Sequence, residues 1–274
     1  MISKKTTKHR LIFKRRLHQH TTLKNISEID NQILQNIVSA FKTVKNQSYS
    51  KKDLEAFSRC ETYRNHLLKD NSVVTYEVFS SNQTALVSDI CKKGASQPKW
   101  CEFLYMITKS FKTPKVLEIG TNLGVSGTYI LEAIKDKDGY FVTMEGLPKL
   151  CEIATQQFLN ISDASNFEVM EGLYDDTFPK VIDKDTAFNL LFIDGNHKKA
   201  PTLDYFNALK SKISATAIFV FDDIYWSEEM KEAWQIIMND KDVNFSIDLY
   251  EQGLVLIDKN ETVGKKHFNL HLSY

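Results

Sequence analysis

Val116-Leu-Glu-Ile-Gly-Thr-Asn-Leu-Gly-Val-Ser-Gly127 decides how the rest of the chain is read. Val116–Ile119 is a short apolar run with the acid Glu118 near its end, and Gly120 and Gly124 follow it. From Val125 to Ile134 the apolar residues Ile130, Leu131 and Ile134 recur at helical spacing. A buried strand, a tight turn and a helix start form the nucleotide-cradling corner of a parallel α/β sheet. A dinucleotide site asks for G-x-G-x-x-G, with close glycines that let the backbone approach a pyrophosphate. Here three residues separate Gly120 from Gly124, and the strand-end carboxylate of Glu118 would repel a pyrophosphate. It would suit a ligand with an ammonium group, such as S-adenosylmethionine (SAM). Glycine turns after strands also serve structure alone, so the other strand ends must decide.

The segments around this corner alternate regularly. Strands are expected at Tyr140–Met144, Phe167–Met170, Asn189–Ile193 and Ala217–Phe221, with helices at Lys149–Asn160, Asp176–Ile182 and Ala200–Lys212 between them. Five strands separated by helices specify an open parallel sheet with right-handed crossovers. After a helix over Glu228–Met238, the strands Asn244–Tyr250 and Gly253–Asp258 are joined by Glu251-Gln252 alone, which permits only an antiparallel hairpin. The expected fold is α/β: a Rossmann-like parallel sheet closed by a C-terminal antiparallel hairpin, with a helical N-terminal extension. A plain dinucleotide-binding fold would add a sixth parallel strand instead. Residues 25–70 hold no Gly or Pro; Ile26 to Phe41 and Leu54 to Leu68 read as two helices packed on a core or on a second subunit. Ser72–Gln83 reads as a loop or edge hairpin at the mouth of a site. The domain expectation is a basic, partly disordered arm over 1–24, a helical cap over 25–94, and a catalytic domain over 95–274.

Composition bounds the function. The chain has 274 residues, 42% hydrophobic and 26% charged, as in ordinary globular proteins, and no apolar run suited to a membrane helix. Cys60, Cys91, Cys101 and Cys151 lack C-x-x-C spacing, so they read as reduced thiols of a cytoplasmic protein. Net charge is zero but uneven: residues 1–24 carry eight Lys or Arg and no acid, so the remainder is −8. A basic arm can touch nucleic acid or anionic lipid, or can lean on the protein's own acidic surface. The acidic remainder disfavours RNA.

Ligands of an open α/β sheet sit outside the carboxyl ends of the strands. Strand one ends in Glu118, Gly120, Thr121 and Asn122, with Gly124 beyond; strand two ends in Glu145-Gly146, an acid placed to accept two ribose hydroxyls; strand three ends in Glu171-Gly172-Leu173, which suit an adenine pocket. Strand four ends in Asp194-Gly-Asn-His197, and strand five in Asp222-Asp223. Crowded carboxylates raise each other's pKa. A hard cation, Mg²⁺ or Ca²⁺, bound by Asp194, Asp222 and Asp223 would relieve them and lower the pKa of an attacking hydroxyl. Without metal, Asp194 or His197 serves as general base, with the aspartate pair orienting it or capping the next helix. Around Tyr225-Trp226-Ser227, aromatics offer a substrate wall, while Ser227 reads equally as an N-cap and Trp234 as core.

Glu118-Ile-Gly-Thr-Asn-Leu-Gly124, Glu145-Gly146, Phe192-Ile-Asp-Gly-Asn-His197 and Phe221-Asp-Asp-Ile-Tyr-Trp-Ser227 with Met230, Ala233 and Trp234 together resemble a group of bacterial class I SAM-dependent methyltransferases widespread in Bacteroidetes-type genomes. The resemblance runs from about Ser96 to the C-terminus. More distantly the chain looks like the metal-dependent small-molecule O-methyltransferases. In the catechol and macrolide-sugar enzymes, aspartates at the positions of Asp194, Asp222 and Asp223 hold Mg²⁺. The catechol type places a lysine base three residues after the first ligand, where this chain has His197. What the resemblance implies is transfer of a methyl group from SAM to a small hydroxylated molecule, with Mg²⁺ assistance, and N-terminal helices that cover the site or form a homodimer. Rival readings are a non-catalytic SAM-binding or nucleic-acid-binding protein using the basic arm, and an NAD-dependent oxidoreductase. The glycine spacing and terminal hairpin argue against the last.

Overall fold

The computed structural model describes residues 4–273. In chain order the elements are α1 (Lys4–Ser27), α2 (Gln32–Asn46), α3 (Lys51–Leu67), β1 (Val73–Thr75), β2 (Thr84–Leu86), α4 (Val87–Gly94), α5 (Pro98–Ser110), β3 (Lys115–Ile119) and α6 (Val125–Ile134). They continue with β4 (Tyr140–Glu145), α7 (Pro148–Leu159), β5 (Phe167–Glu171), α8 (Tyr174–Asp183), β6 (Phe188–Ile193), α9 (Lys199–Leu209), β7 (Ile213–Phe221), α10 (Glu228–Met238), β8 (Phe245–Asp248), β9 (Gly253–Asp258) and β10 (Lys266–Asn269). No helix among the described residues is long and apolar enough to cross a membrane.

Two compact units result: Asn46–Leu190, and the chain up to Lys45 together with Leu191 onward. In the unit Asn46–Leu190 the strand order is β6-β3-β4-β5. β3 pairs parallel with β4, placing Glu118 opposite Thr143, and β4 pairs parallel with β5, placing Glu145 opposite Glu171. β3, β4 and β6 are buried over most of their length, whereas the edge strand β5 is buried only in part. Outside the sheet, Phe57, Cys60, Cys101, Tyr105 and Tyr129 pack into one cluster from α3, α5 and α6. Val74 of the β1–β2 hairpin joins the same cluster beside Leu147 and Leu150.

In the other unit the strand order is β10-β8-β9-β7-β6. β9 runs antiparallel to both β7 and β8, so the terminal hairpin lies where the Glu251-Gln252 link demanded. β10, which the sequence reading did not anticipate, adds a parallel edge strand to β8.

The N-terminus departs from expectation. Residues 4–27 form one helix instead of a disordered arm. Burial of Ile12 and Ile26 and a buried ion pair from Arg15 to Asp248 hold it in place. Leaning on the chain's own acids is realised, since Lys8 also pairs with Glu251 at 2.7 Å. The expected helix over Ile26–Phe41 is cut in two at Asn31. Its Oδ1 accepts the N–H of Leu34 at 2.9 Å, while its Nδ2 donates to Asp258 and Glu261. A side chain so engaged starts a new helix. Leu34, Ile37, Val38, Phe41 and Val44 then bury one face of α2.

Candidate cofactor cradle and acid–histidine cluster

The cradle belongs to the unit Asn46–Leu190. β3 ends at Ile119, and the N–H groups of Gly120 and Thr121 both donate to the carbonyl of Met144, at 3.2 and 3.0 Å, which ties the loop to β4. Gly120, Asn122 and Gly124 all have positive φ (109°, 49° and 71°). At Gly124 a Cβ would stand 2.8 Å from that of Ala154, so both the backbone and the packing of α7 require glycine. Thr128 Nα and Oγ1 each donate to the Gly124 carbonyl, at 2.9 and 2.7 Å, starting α6.

Glu118 lies behind this loop and is wholly buried. Its two oxygens accept from Ser126 Oγ at 2.5 Å and from Thr143 Oγ1 at 2.7 Å, and Thr143 in turn bonds Thr121 at 2.6 Å. The ammonium-facing role expected of Glu118 and any direct ligand role for the Thr121 hydroxyl are therefore not what the structure places. Both side chains serve the wall of the cradle. Burial pushes the Glu118 carboxyl up to about 7, against the two hydroxyl bonds that favour its ionised form.

Glu145 stands at the rim. Its Oε2 accepts the N–H of Asn122 and its Oε1 that of Leu147, both at 2.9 Å. The Gly146 N–H donates to the same carboxylate, and its remaining acceptor capacity can receive a hydroxyl. Burial raises its pKa, and the backbone N–H groups oppose that rise. Gly172, at φ 138°, donates to the Glu145 carbonyl at 2.9 Å, which brings Gly172 and Leu173 to the same rim. Gly146 lies there too: a Cβ on it would stand 3.2 Å from the ring of Phe79 and 3.6 Å from Leu173. Asn122, Glu145, Gly146, Gly172 and Leu173 are thus brought together as expected. The sequence reading missed three residues from earlier in the chain. Tyr63 donates its hydroxyl to the Leu123 carbonyl at 2.6 Å, Gly94 abuts the Asn122 amide, and Phe79 touches the Gly146 position. The only advance signal was the hairpin expected near Ser72–Gln83.

The unit that includes Leu191 onward carries the acid–histidine cluster. Asp222 N donates to Ile193 O at 3.0 Å, which sets the ends of β6 and β7 side by side. Asn196 and Asp223 take positive φ (67° and 55°) in the two following turns. His197 Nε2 lies 3.7 Å from Asp194 Oδ1, beyond hydrogen-bond range. Burial lowers the pKa of His197 and the charge of Asp223 only partly restores it, so the imidazole is neutral near pH 7. Burial first, and then the neighbouring Asp223, push Asp222 up to about 7, although Gln252 and Asp194 both hydrogen-bond it. The Oε1 of Gln252, itself buried, has no hydrogen-bond partner. Asp223 is also raised by burial, against the attraction of His197 and Lys8.

Of the aspartates expected to hold Mg²⁺, Asp194 and Asp222 hydrogen-bond each other. Among the described residues, no group of three or more His, Cys, Asp or Glu is placed to hold a metal ion. Of the neighbouring aromatics, Trp234 is core, with its indole N–H donating to Asp248 at 3.1 Å, and Ser227 caps α10 by accepting from Met230 N at 3.1 Å. Tyr225 donates to Asp248 at 2.9 Å, and Trp226 is exposed.

Residues 117–224 match the model of a family described as a methyltransferase domain. A catechol O-methyltransferase of Niastella koreensis is 26% identical over 110 residues, 40% of this chain and 48% of that protein. The chain spans about half the length of the curated relatives it matches. In fold it is similar to the S-adenosylhomocysteine-bound methyltransferase of Podospora anserina (TM-score 0.56, 16% identity, covering 85% of this chain and 98% of that one). It is likewise similar to an O-methyltransferase of Streptomyces achromogenes solved with SAM (TM-score 0.52, 20% identity, 61% and 82% covered). The mostly parallel sheet with its C-terminal antiparallel hairpin is the fold shared with these two solved proteins.

Proposed function

We propose that this chain, whose residues 117–224 match the model of a methyltransferase domain, transfers the methyl group of SAM to an oxygen of a small hydroxylated molecule. The observation that carries the reading is the Glu145 carboxylate, which holds the Asn122 and Leu147 N–H groups and keeps acceptor capacity for a ribose hydroxyl at the rim of a loop with three positive-φ residues. Asn122, Gly124, Gly146, Gly172 and Leu173 complete the cofactor's surroundings, and Glu118 and Thr121 stiffen them from behind. When bound, SAM supplies a sulfonium-borne methyl group that leaves for an oxygen nucleophile. The chain's own task is to align that oxygen, which alone can supply about 7–11 kcal/mol of the barrier, and to take its proton.

His197 is the base in this reading, because a neutral imidazole accepts the hydroxyl proton at Nε2. Asp223, whose charge raises the His197 pKa, steadies the imidazolium so formed. Mg²⁺ assistance, with Asp194, Asp222 and Asp223 as the residues that would hold the ion, is tested by titrating the chain with Mg²⁺, a heat that Asp222→Ala should abolish. We take residues 95–274 as the catalytic segment, with four buried cysteines outside any disulfide suiting a cytoplasmic protein. A homodimer through the N-terminal helices is open to a sedimentation test. Calorimetric titration with S-adenosylhomocysteine tests the central reading. Micromolar binding that Glu145→Ala abolishes is expected, and no binding by the unaltered chain would overturn it.

A further inference from the structure

Phe79 is an apolar ring placed where sequence reasoning gave it no role. It ends the short 3₁₀ turn Glu77–Phe79 between β1 and β2, and 52% of its surface is exposed. Its position is nonetheless fixed. The Phe79 N–H donates to Tyr76 O at 2.9 Å, Ser80 N to Glu77 O at 2.8 Å, and Tyr76 N to Gln83 O at 3.1 Å. β1 and β2 pair in register from Val73↔Leu86 to Thr75↔Thr84. Val74, fully buried, ties this hairpin into the same hydrophobic cluster as Leu147 and Leu150, which follow closely on the Glu145-Gly146 strand end. The anchor and the rim are thus joined by a few residues of chain, and the ring tip reaches to 3.2 Å of the Cβ position of Gly146, next to Leu173. A side chain on residue 146 would push the ring aside. A half-exposed aromatic ring on a hydrogen-bonded turn, held against a glycine at a strand end, places apolar surface at the rim.

We infer that Phe79 is a wall of the adenosine pocket, packing against the base or ribose of the cofactor opposite Leu173. The inference rests on the proposed use of SAM. It assigns the β1–β2 hairpin to cofactor binding and makes the N-terminal segment part of the site. Base–aromatic contacts are strong and tolerant of the base's identity, so removing the ring weakens binding by about tenfold or more.

The test is calorimetric titration of the full chain and of Phe79→Ala and Phe79→Trp with S-adenosylhomocysteine and, separately, with adenosine. Phe79→Ala is expected to weaken both ligands about tenfold and alike, because the contact lies at the end they share. Phe79→Trp is expected to bind S-adenosylhomocysteine within about twofold of the unaltered chain, and its added tryptophan emission to change on binding. Being half exposed, the position tolerates alanine, and unchanged thermal unfolding of Phe79→Ala verifies that. Full-strength binding of both ligands by Phe79→Ala would overturn the inference, as would a loss confined to S-adenosylhomocysteine. Failure of the unaltered chain to bind either ligand would overturn the SAM reading itself, and this one with it.

Discussion

Arg15 and Asp248 form an ion pair at 2.7 Å in which both side chains are buried, at 3% and 5% exposure. Asp248 is the hub of its neighbourhood, accepting also from Tyr225, Trp234 and the Tyr250 N–H, while Arg15 reaches its carbonyl at 3.1 Å. Arg15 further lies over the stacked rings of Tyr225 and Tyr250. Breaking a buried pair from one side leaves an uncompensated charge, typically at about 3–5 kcal/mol. Arg15→Met is therefore expected to lose roughly that much in urea unfolding, and Arg15→Met with Asp248→Asn to lose less than the sum of the two single changes. Additive losses would show that the pair does not couple.

Glu118 makes stability depend on pH in a direction opposite to that of a salt-bridged acid. Its carboxyl is held at about 7 in the folded chain against an ordinary 4.5. Folded protein therefore keeps a proton that unfolded protein has released. The contribution is full below about pH 4.5 and is lost as pH rises through about 7. Relative to the unaltered chain, Glu118→Gln is expected to gain stability between about pH 5 and pH 8, on the order of 3 kcal/mol. A pH-independent difference in chemical denaturation would count against the protonated state.

His197→Ala is expected to lower kcat by about a hundredfold or more, the usual worth of a positioned base, with little change in S-adenosylhomocysteine affinity. Because burial lowers the pKa of this imidazole, the acid limb of the kcat profile should fall below the ordinary histidine value of 6.5. A profile unaltered by the substitution would remove His197 from the reaction.

Gly124→Ala meets three obstacles at once, φ 71°, an Ala154 methyl 2.8 Å from its new Cβ and the Phe158 ring at 3.0 Å. Strain of this kind costs about 1–3 kcal/mol. Reduced thermal stability together with weakened S-adenosylhomocysteine binding is the expected result. Ala154→Gly in the same chain should recover part of the stability but not the part due to φ.

Much of this was legible in the sequence, for reasons that differ by element. The strand–helix alternation and the two-residue link at Glu251-Gln252 left few topologies, and the tight turn read after Ile119 is there, with Gly120 and Gly124 both at positive φ. Glu118 was misread because a strand-end acid looks alike whether it faces a ligand or a wall. Its partners Thr143 and Ser126 become visible only with the β3–β4 register and the first turn of α6. The helix at Lys4–Ser27 gave little signal because few of its residues are apolar, and tertiary ion pairs hold it. The break at Asn31 depends on carboxylates more than two hundred residues away, Asp258 and Glu261, which no local pattern reveals.

The added strand β10 has a consequence for solubility. A strand at the end of a sheet offers unpaired N–H and C=O groups to any passing chain and so invites aggregation. β8 would present that row, but Lys266 N bonds Asn244 O at 3.0 Å and Leu270 N bonds Asp248 O at 3.1 Å, so β10 occupies it. The new margin is four residues long, buries only Phe268, and turns Lys266 and His267 outward. Brevity and a cationic side chain are the usual deterrents to strand-to-strand sticking. The last ten or so residues therefore act as a selvedge, and a chain shortened before Lys266 would be prone to self-associate along β8.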